Sequence, residues 1–274
     1  MDLRLTPVDR EATPLGELTL TRYDAPDGTV GHQVAIDGHF LMATHGCGSE
    51  RALAPIAHAA WLAQTGASHR FPETGDSDPI SAASPRGLNV LVGGLGAGHT
   101  LRAALDLPGV ARVVVAEIGA KVFQWNRLYF AEANGHAVDD PRVVPFVGDL
   151  HDILERTDHD DPSGAPGKRG RCHPFRETGR RHHFDLMLLD VDNGPGRLAA
   201  EGNARLYDAE GLRRCRDALA PGGVLAVWSP CHDPAFLEGL RAVFPDAREV
   251  DTRPWSSAVG EIPDVVYVAP RPRD

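Results

Sequence analysis

The sequence predicts an α/β fold: a parallel sheet covered by helices on both faces, preceded by a small N-terminal β unit. Three observations carry this. From Leu88 onward, short apolar runs alternate with amphipathic stretches, the pattern of strands buried on two faces. The first run leads into a glycine-rich turn, "VGGLGAGHT". Before them, "ELTLTRYD" and "HQVAIDGHFLMA" alternate with a period of two around the turn "PDGTVG".

Taken in order, residues 1–16 read as a leader and 17–48 as the β unit. Residues 49–85 hold a connecting helix and a polar linker. Ser49 is its N-cap, and Leu53, Ile56, Ala57, Ala60 and Trp61 share one face, with Pro55 moving the expected start later. Residues 86–274 form the main domain. Strands are expected at 88–94, 111–118, 142–147, 184–190 and 223–229, with "DVVYVA" closing as the last one. Helices follow each of the first five, the final one capped by Asp233 with Pro234 at its first position. Residues 157–183 break the rhythm. They are rich in Gly, Pro and Arg, and read as a flexible insertion entering the N-terminal end of a strand, away from any site.

Composition narrows the function. The chain of 274 residues is 42% hydrophobic and 24% charged, ordinary for a globular protein. A formal net charge of −10 argues against nonspecific nucleic-acid binding and suits an enzyme with a cationic small substrate. No apolar run has the length of a membrane span, and the N-terminus lacks a signal-peptide layout, so a cytoplasmic location is expected. Cys47, Cys172, Cys215 and Cys231 have no paired spacing, and no metal is expected.

The chemistry gathers at strand ends. Gly93, Gly94, Gly96 and Gly98 let a ligand approach the backbone closely. Glu117 ends the second strand, 24 residues after Gly93, the spacing at which an acid accepts both ribose hydroxyls. That pair fits a nicotinamide dinucleotide or a sulfonium nucleoside equally. The third and fourth strands discriminate: Asp149 can accept from an adenine amine with Leu150 against the ring, and Asp190 and Asp192 end the fourth. Acids at 149, 190 and 192 would repel a pyrophosphate but attract a sulfonium. A carboxylate ~4 Å from such a cation gains roughly 4 kcal/mol at an effective dielectric near 20.

In that order the motifs resemble the class I S-adenosylmethionine-dependent transferases, and within them the spermidine synthase-like family of polyamine aminopropyltransferases. The likeness spans roughly residues 17 to 270 and includes the Asp37-Gly38 turn, "GGLGAG", Glu117-Ile118, Gly148-Asp149-Leu150 and the loop from Asp190 to Pro195. The chain departs from the pattern at Leu95 or Ala97, where the family places an aminopropyl-binding Asp, and at Gly119, where it places an acid. The polyamine-contacting cluster before the connecting helix is not matched by "LMATHGCGSERALA". A divergent branch is implied, in which cofactor binding carries over and polyamine specificity does not.

The resemblance implies a Rossmann-like nucleoside-binding domain. Gly93, Gly94, Gly96, Gly98, Glu117, Ile118, Asp149, Leu150 and Asp190 would bind S-adenosylmethionine or its decarboxylated form as co-substrate. Asp190 and Asp192 would be catalytic, accepting a proton from the acceptor amine or holding it. Asn193, Tyr207 and Trp228 would shape the acceptor pocket, with Glu50 as the remaining acid for a cationic substrate. The expected partner is a small-molecule amine, with neither nucleic acid nor membrane. Related enzymes form homodimers, and the N-terminal β unit could serve that role here. Two alternatives stand beside amine alkylation: a methyltransferase using intact S-adenosylmethionine, and a nucleoside-binding protein without catalysis. A dehydrogenase comes a distant fourth.

Overall fold

The computed structural model describes residues 4–45, 48–65, 87–158, 184–191, 194–196, 198, 201–253 and 264–273. Strands β1 (Arg4–Thr13), β2 (Gly16–Asp24), β3 (Val30–Ile36) and β4 (His39–Ala43) come first, then helix α1 (Gly48–Thr65). The main domain runs β5 (Leu88–Gly93), α2 (His99–Leu105), β6 (Val110–Glu117), α3 (Ala120–Leu128), α4 (Ala131–Asn134), β7 (Val143–Val147), α5 (Leu150–Asp158) and β8 (Phe184–Leu189). It closes with α6 (Ala204–Tyr207), α7 (Ala209–Ala218), β9 (Leu219–Ser229), α8 (Pro234–Val243), β10 (Arg248–Asp251) and β11 (Val265–Pro270).

The first four strands form an antiparallel sheet in chain order. The run "HQVAIDGHFLMA" forms β3 and β4 about the Asp37-Gly38 turn, where both residues take positive φ (46° and 81°), the requirement of a tight hairpin turn. Within the expected 1–16 leader, residues 4–13 form a paired strand rather than a loose segment. Arg4–Thr13 pairs with β2 along its length, from Arg4↔Asp24 to Thr13↔Gly16. This strand is mostly exposed, so it carries no apolar alternation to read. Main-chain pairing and polar ties to α3 hold it instead. Asp9 accepts from Lys121 Nζ at 2.6 Å and Trp125 Nε1 at 3.0 Å, and Glu11 accepts from the Lys121 amide at 2.8 Å.

The second sheet has seven strands in the order β10-β11-β9-β8-β5-β6-β7. It is mixed rather than wholly parallel. Strands β5 to β9 run parallel, while β11 pairs antiparallel with β9 and β10 with β11. No helix is present between β10 and β11 among the described residues, and a return without a crossover must be antiparallel. Strand β10, "REVD", is short, polar and at the edge, which hides it from pattern reading.

Alternate residues of the central strands feed two cores. Val90, Val92, Val113, Leu186 and Val224 pack with α1 and α2 on one face. Leu91, Val114, Met187, Leu189 and Leu225 pack with α5, α7 and α8 on the other. Helix α1 starts at Gly48 and keeps Pro55 inside. An interior proline costs ~3 kcal/mol, and the burial of Leu53, Ile56, Ala57, Ala60 and Trp61 offsets it. The expected 157–183 insertion opens with the last two residues of α5, and 159–183 lie outside the described residues.

Candidate active site

Strand β5 pairs with β6 on one side and β8 on the other, so the chain changes direction across the sheet there. In open α/β sheets such a switch point opens a crevice at the carboxyl ends of the strands. Two contacts close its floor: the Asp190 amide donates to Gly93 O at 2.9 Å, and the Gly94 amide to Ala116 O at 2.9 Å. Gly94 has φ 83°, and a Cβ on it would collide with the Asp190 carbonyl oxygen. Only glycine allows the loop after β5 to lie this close to the end of β8.

The cleft above this floor encloses about 1180 Å³, counting the part open to solvent. Leu15, Leu18, Ile36, Leu41 and Met42 bring an apolar wall from the N-terminal unit. Gly94, Gly96, Glu117, Ile118, Asp149, Leu150, Asp190, Glu50 and Trp228, all expected from the sequence, line it. Gly93, Gly98 and Tyr207 do not line it. A Cβ on Gly93 would meet Leu150 at 2.8 Å, and one on Gly98 (φ 84°) would meet Asn126 at 2.6 Å, so both are packing positions. Tyr207 donates to Val191 O at 2.9 Å and braces the loop after β8. Asp192 and Asn193 lie outside the described residues.

In the cleft lining, Glu117 accepts from the Leu95 amide at 3.0 Å and the Gly119 amide at 2.9 Å. Burial raises its carboxyl, opposed by these amides. Asp149 accepts from the His151 amide at 2.9 Å and forms an ion pair with the exposed Arg205. A surface pair of this kind is worth at most ~1 kcal/mol, so a ligand amine can displace it.

Two further acids of the lining interact with each other. Thr100 Oγ1 donates to Asp190 at 2.6 Å. Burial still pushes the Asp190 carboxyl up to about 6. Burial, and then the Asp190 charge, push Glu50 up to about 7, while Ser49 donates to it at 3.1 Å. Chemically this pair of acids can take a cation, or a proton from an amine.

Pattern reading missed three residues. Asn134 and Asn126 are fully buried beneath the glycine loop. Asn126 donates to Gly96 O at 2.8 Å, and Asn134 to Ala97 O at 3.0 Å and to Asn126 at 2.8 Å. His99 also lines the cleft, and the only signal for it was a polar pair, "HT", where the loop ends. Among the described residues, no group of His, Cys, Asp and Glu is placed to hold a metal ion, and no helix is long and apolar enough to cross a membrane.

No protein-family model matches this chain. In sequence it is similar to the polyamine aminopropyltransferase of Nitrosomonas europaea, 29% identical over 178 residues, 64% of this chain and 45% of that one. The chain spans about half the length of the curated relatives it matches. In structure it is similar to a spermidine synthase in complex with the transition state analogue AdoDATO, with TM-score 0.63, 18% identity and coverage of 98% of this chain and 74% of that one. It is also similar to human methyltransferase-like protein 13 in complex with SAH, with TM-score 0.54, 20% identity and 82% of each chain covered. In sequence the chain is similar to polyamine aminopropyltransferases, and it shares the fold of these spermidine synthase and methyltransferase structures.

Proposed function

We propose that this chain is a transferase that alkylates a small-molecule amine from a sulfonium nucleoside, either S-adenosylmethionine or its decarboxylated form. One observation carries the reading: Glu50 and Asp190 present two interacting acids to a cleft that Glu117 and Asp149 also line. The relatives named polyamine aminopropyltransferase support it.

The cleft's residues fit such a ligand. Glu117 is the ribose acceptor, while Ile118, Leu150 and Leu206 offer apolar contact to adenine and Asp149 an acceptor for its amine. The sulfonium activates the carbon beside it. The amine nitrogen displaces it, a C–N bond forms, the C–S bond breaks, and its electron pair stays on the neutral thioether. The chain's own work is to desolvate and orient the two reactants and to hold the amine until it loses a proton. Asp190, held by Thr100, is the nearer base by chemistry. Glu50 holds the cationic acceptor. Asp192 remains proposed as a second catalytic acid, and Asn193 and Trp228 as residues of the acceptor pocket. A homodimer joined through the N-terminal β unit belongs to the same proposal.

A second reading, methyl transfer, is favoured by uncharged Leu95 and Ala97 in the loop that faces the cleft. The test is titration with methylthioadenosine and NAD, in wild type and Glu117→Ala. Methylthioadenosine should bind, NAD more weakly, and the variant should lose roughly tenfold or more in affinity. Tighter binding of NAD, or unchanged affinity in the variant, refutes the nucleoside assignment. Mass spectrometry of an amine panel then reads which group is transferred.

A further inference from the structure

We propose that Arg205 competes with the nucleoside base for Asp149, so that a base binds by bringing an amine that displaces the guanidinium. This rests on the sulfonium-nucleoside reading above, in which Asp149 accepts from the adenine amine.

Both oxygens of Asp149 accept a hydrogen bond. One takes the His151 amide at 2.9 Å, and the other takes Nη2 of Arg205. Asp149 lines the cleft, as do Asn203 and Leu206. Arg205, between those two in the chain, does not line it and reaches Asp149 from outside. The two partners are held differently. The His151 amide is fixed in the first turn of α5, whereas 55% of the Arg205 side chain is exposed.

Only that side chain has to move. A Cβ on Gly211 would lie 2.1 Å from the Arg205 carbonyl oxygen, so α6 is seated directly on α7. Leu206 is 2% exposed, and Tyr207 donates to Val191 O at 2.9 Å. The backbone of α6 is anchored at these residues, while the long arginine side chain can swing into solvent by rotamer change. An exposed pair of this kind holds weakly. The competition therefore lowers apparent nucleoside affinity by about two- to fivefold, set by the fraction of time Asp149 is unpaired.

The pair also tunes base selectivity. A 6-amino purine offers donors and can take over the Asp149 oxygen. A 6-oxo purine offers an acceptor, which a bare carboxylate repels. Removing Arg205 helps the first and not the second.

The test is calorimetric titration of the whole chain with methylthioadenosine and its 6-oxo counterpart, methylthioinosine. The proteins are wild type and Arg205→Ser, each with and without Asp149→Ala. Arg205→Ser should tighten methylthioadenosine about two- to fivefold and leave methylthioinosine unchanged or weaker. With Asp149→Ala present, the same change should do nothing. Raising salt from about 50 mM to about 0.5 M screens the exposed pair, so it should tighten uncharged methylthioadenosine in wild type but not in Arg205→Ser. Unchanged or weaker methylthioadenosine binding in Arg205→Ser overturns the inference. So do equal tightening of both nucleosides, a gain that persists without Asp149, and the same salt response in both proteins. In those outcomes methylthioadenosine still binds and the sulfonium reading stands. If methylthioadenosine does not bind wild type, both fall. Should Arg205→Ser not fold, Arg205→Gln carries the same titrations.

Discussion

Thr100 Oγ1 lies 2.6 Å from Asp190 Oδ2 and donates its hydrogen to it, so the acid at the end of β8 is held by the first turn of α2. The bond favours the ionised carboxylate, and burial opposes it. Asp190 acts as a base only when ionised, so kcat/KM should rise with pH through about 6. Thr100→Val removes the bond while keeping the shape. The acid limb of the pH–rate profile should then move to higher pH, and a limb left in place would show that Asp190 is not the titrating group.

Asp190→Asn keeps the acceptor oxygen for Thr100 but cannot take a proton. Turnover should fall by roughly a hundredfold or more, with nucleoside affinity changed severalfold at most. Equal losses in binding and turnover would assign Asp190 to ligand binding alone.

Glu50→Gln should raise the KM for the amine acceptor while leaving methylthioadenosine affinity intact, as expected where one cationic partner is lost. An unchanged KM would reduce Glu50 to a helix-start residue.

The same acids link stability to pH. Glu50 titrates at about 7 in the folded chain against 4.5 when exposed, and Asp190 at about 6 against 3.8. The unfolded chain therefore releases these protons first, and stability of the unliganded protein falls as pH rises from about 4 to about 7. Glu50→Gln should raise Tm by several degrees at pH 8, corresponding to roughly 1–3 kcal/mol, and by little at pH 4. Equal gains at both values would remove the electrostatic explanation.

Asn134→Ala strips buried partners from Ala97 O and Asn126. A loss of about 2–3 kcal/mol in urea unfolding is expected, together with weaker nucleoside binding, because the glycine loop loses its support. Full stability in the variant would mean that the loop needs no brace.

Much of this was legible because strands buried on two faces must be apolar throughout. The runs 88–94, 111–118 and 184–190 each correspond to a strand, β5, β6 or β8, whose exit turn lines the cleft. Strand β1 was not legible, since an exposed strand held by main-chain pairing leaves no periodic trace. Nor was the role of the four glycines separable. Gly94 and Gly98 look alike in sequence, yet one yields to the Asp190 backbone and the other to Asn126.

By itself the sequence determined the alternation of the parallel strands β5 to β9 with helices, the glycine turn, and which acids end which strands. These follow from local rules: period, capping and backbone freedom at glycine. Only the tertiary structure decided that Glu50, from the connecting helix, shares a cleft with Asp190, 140 residues later in the chain. It also decided that His99 is buried with its Nδ1 turned to Arg51. Such meetings depend on how α1 and the N-terminal sheet pack against the main domain, and burial, which sets the charge states of these groups, exists only once that packing is made.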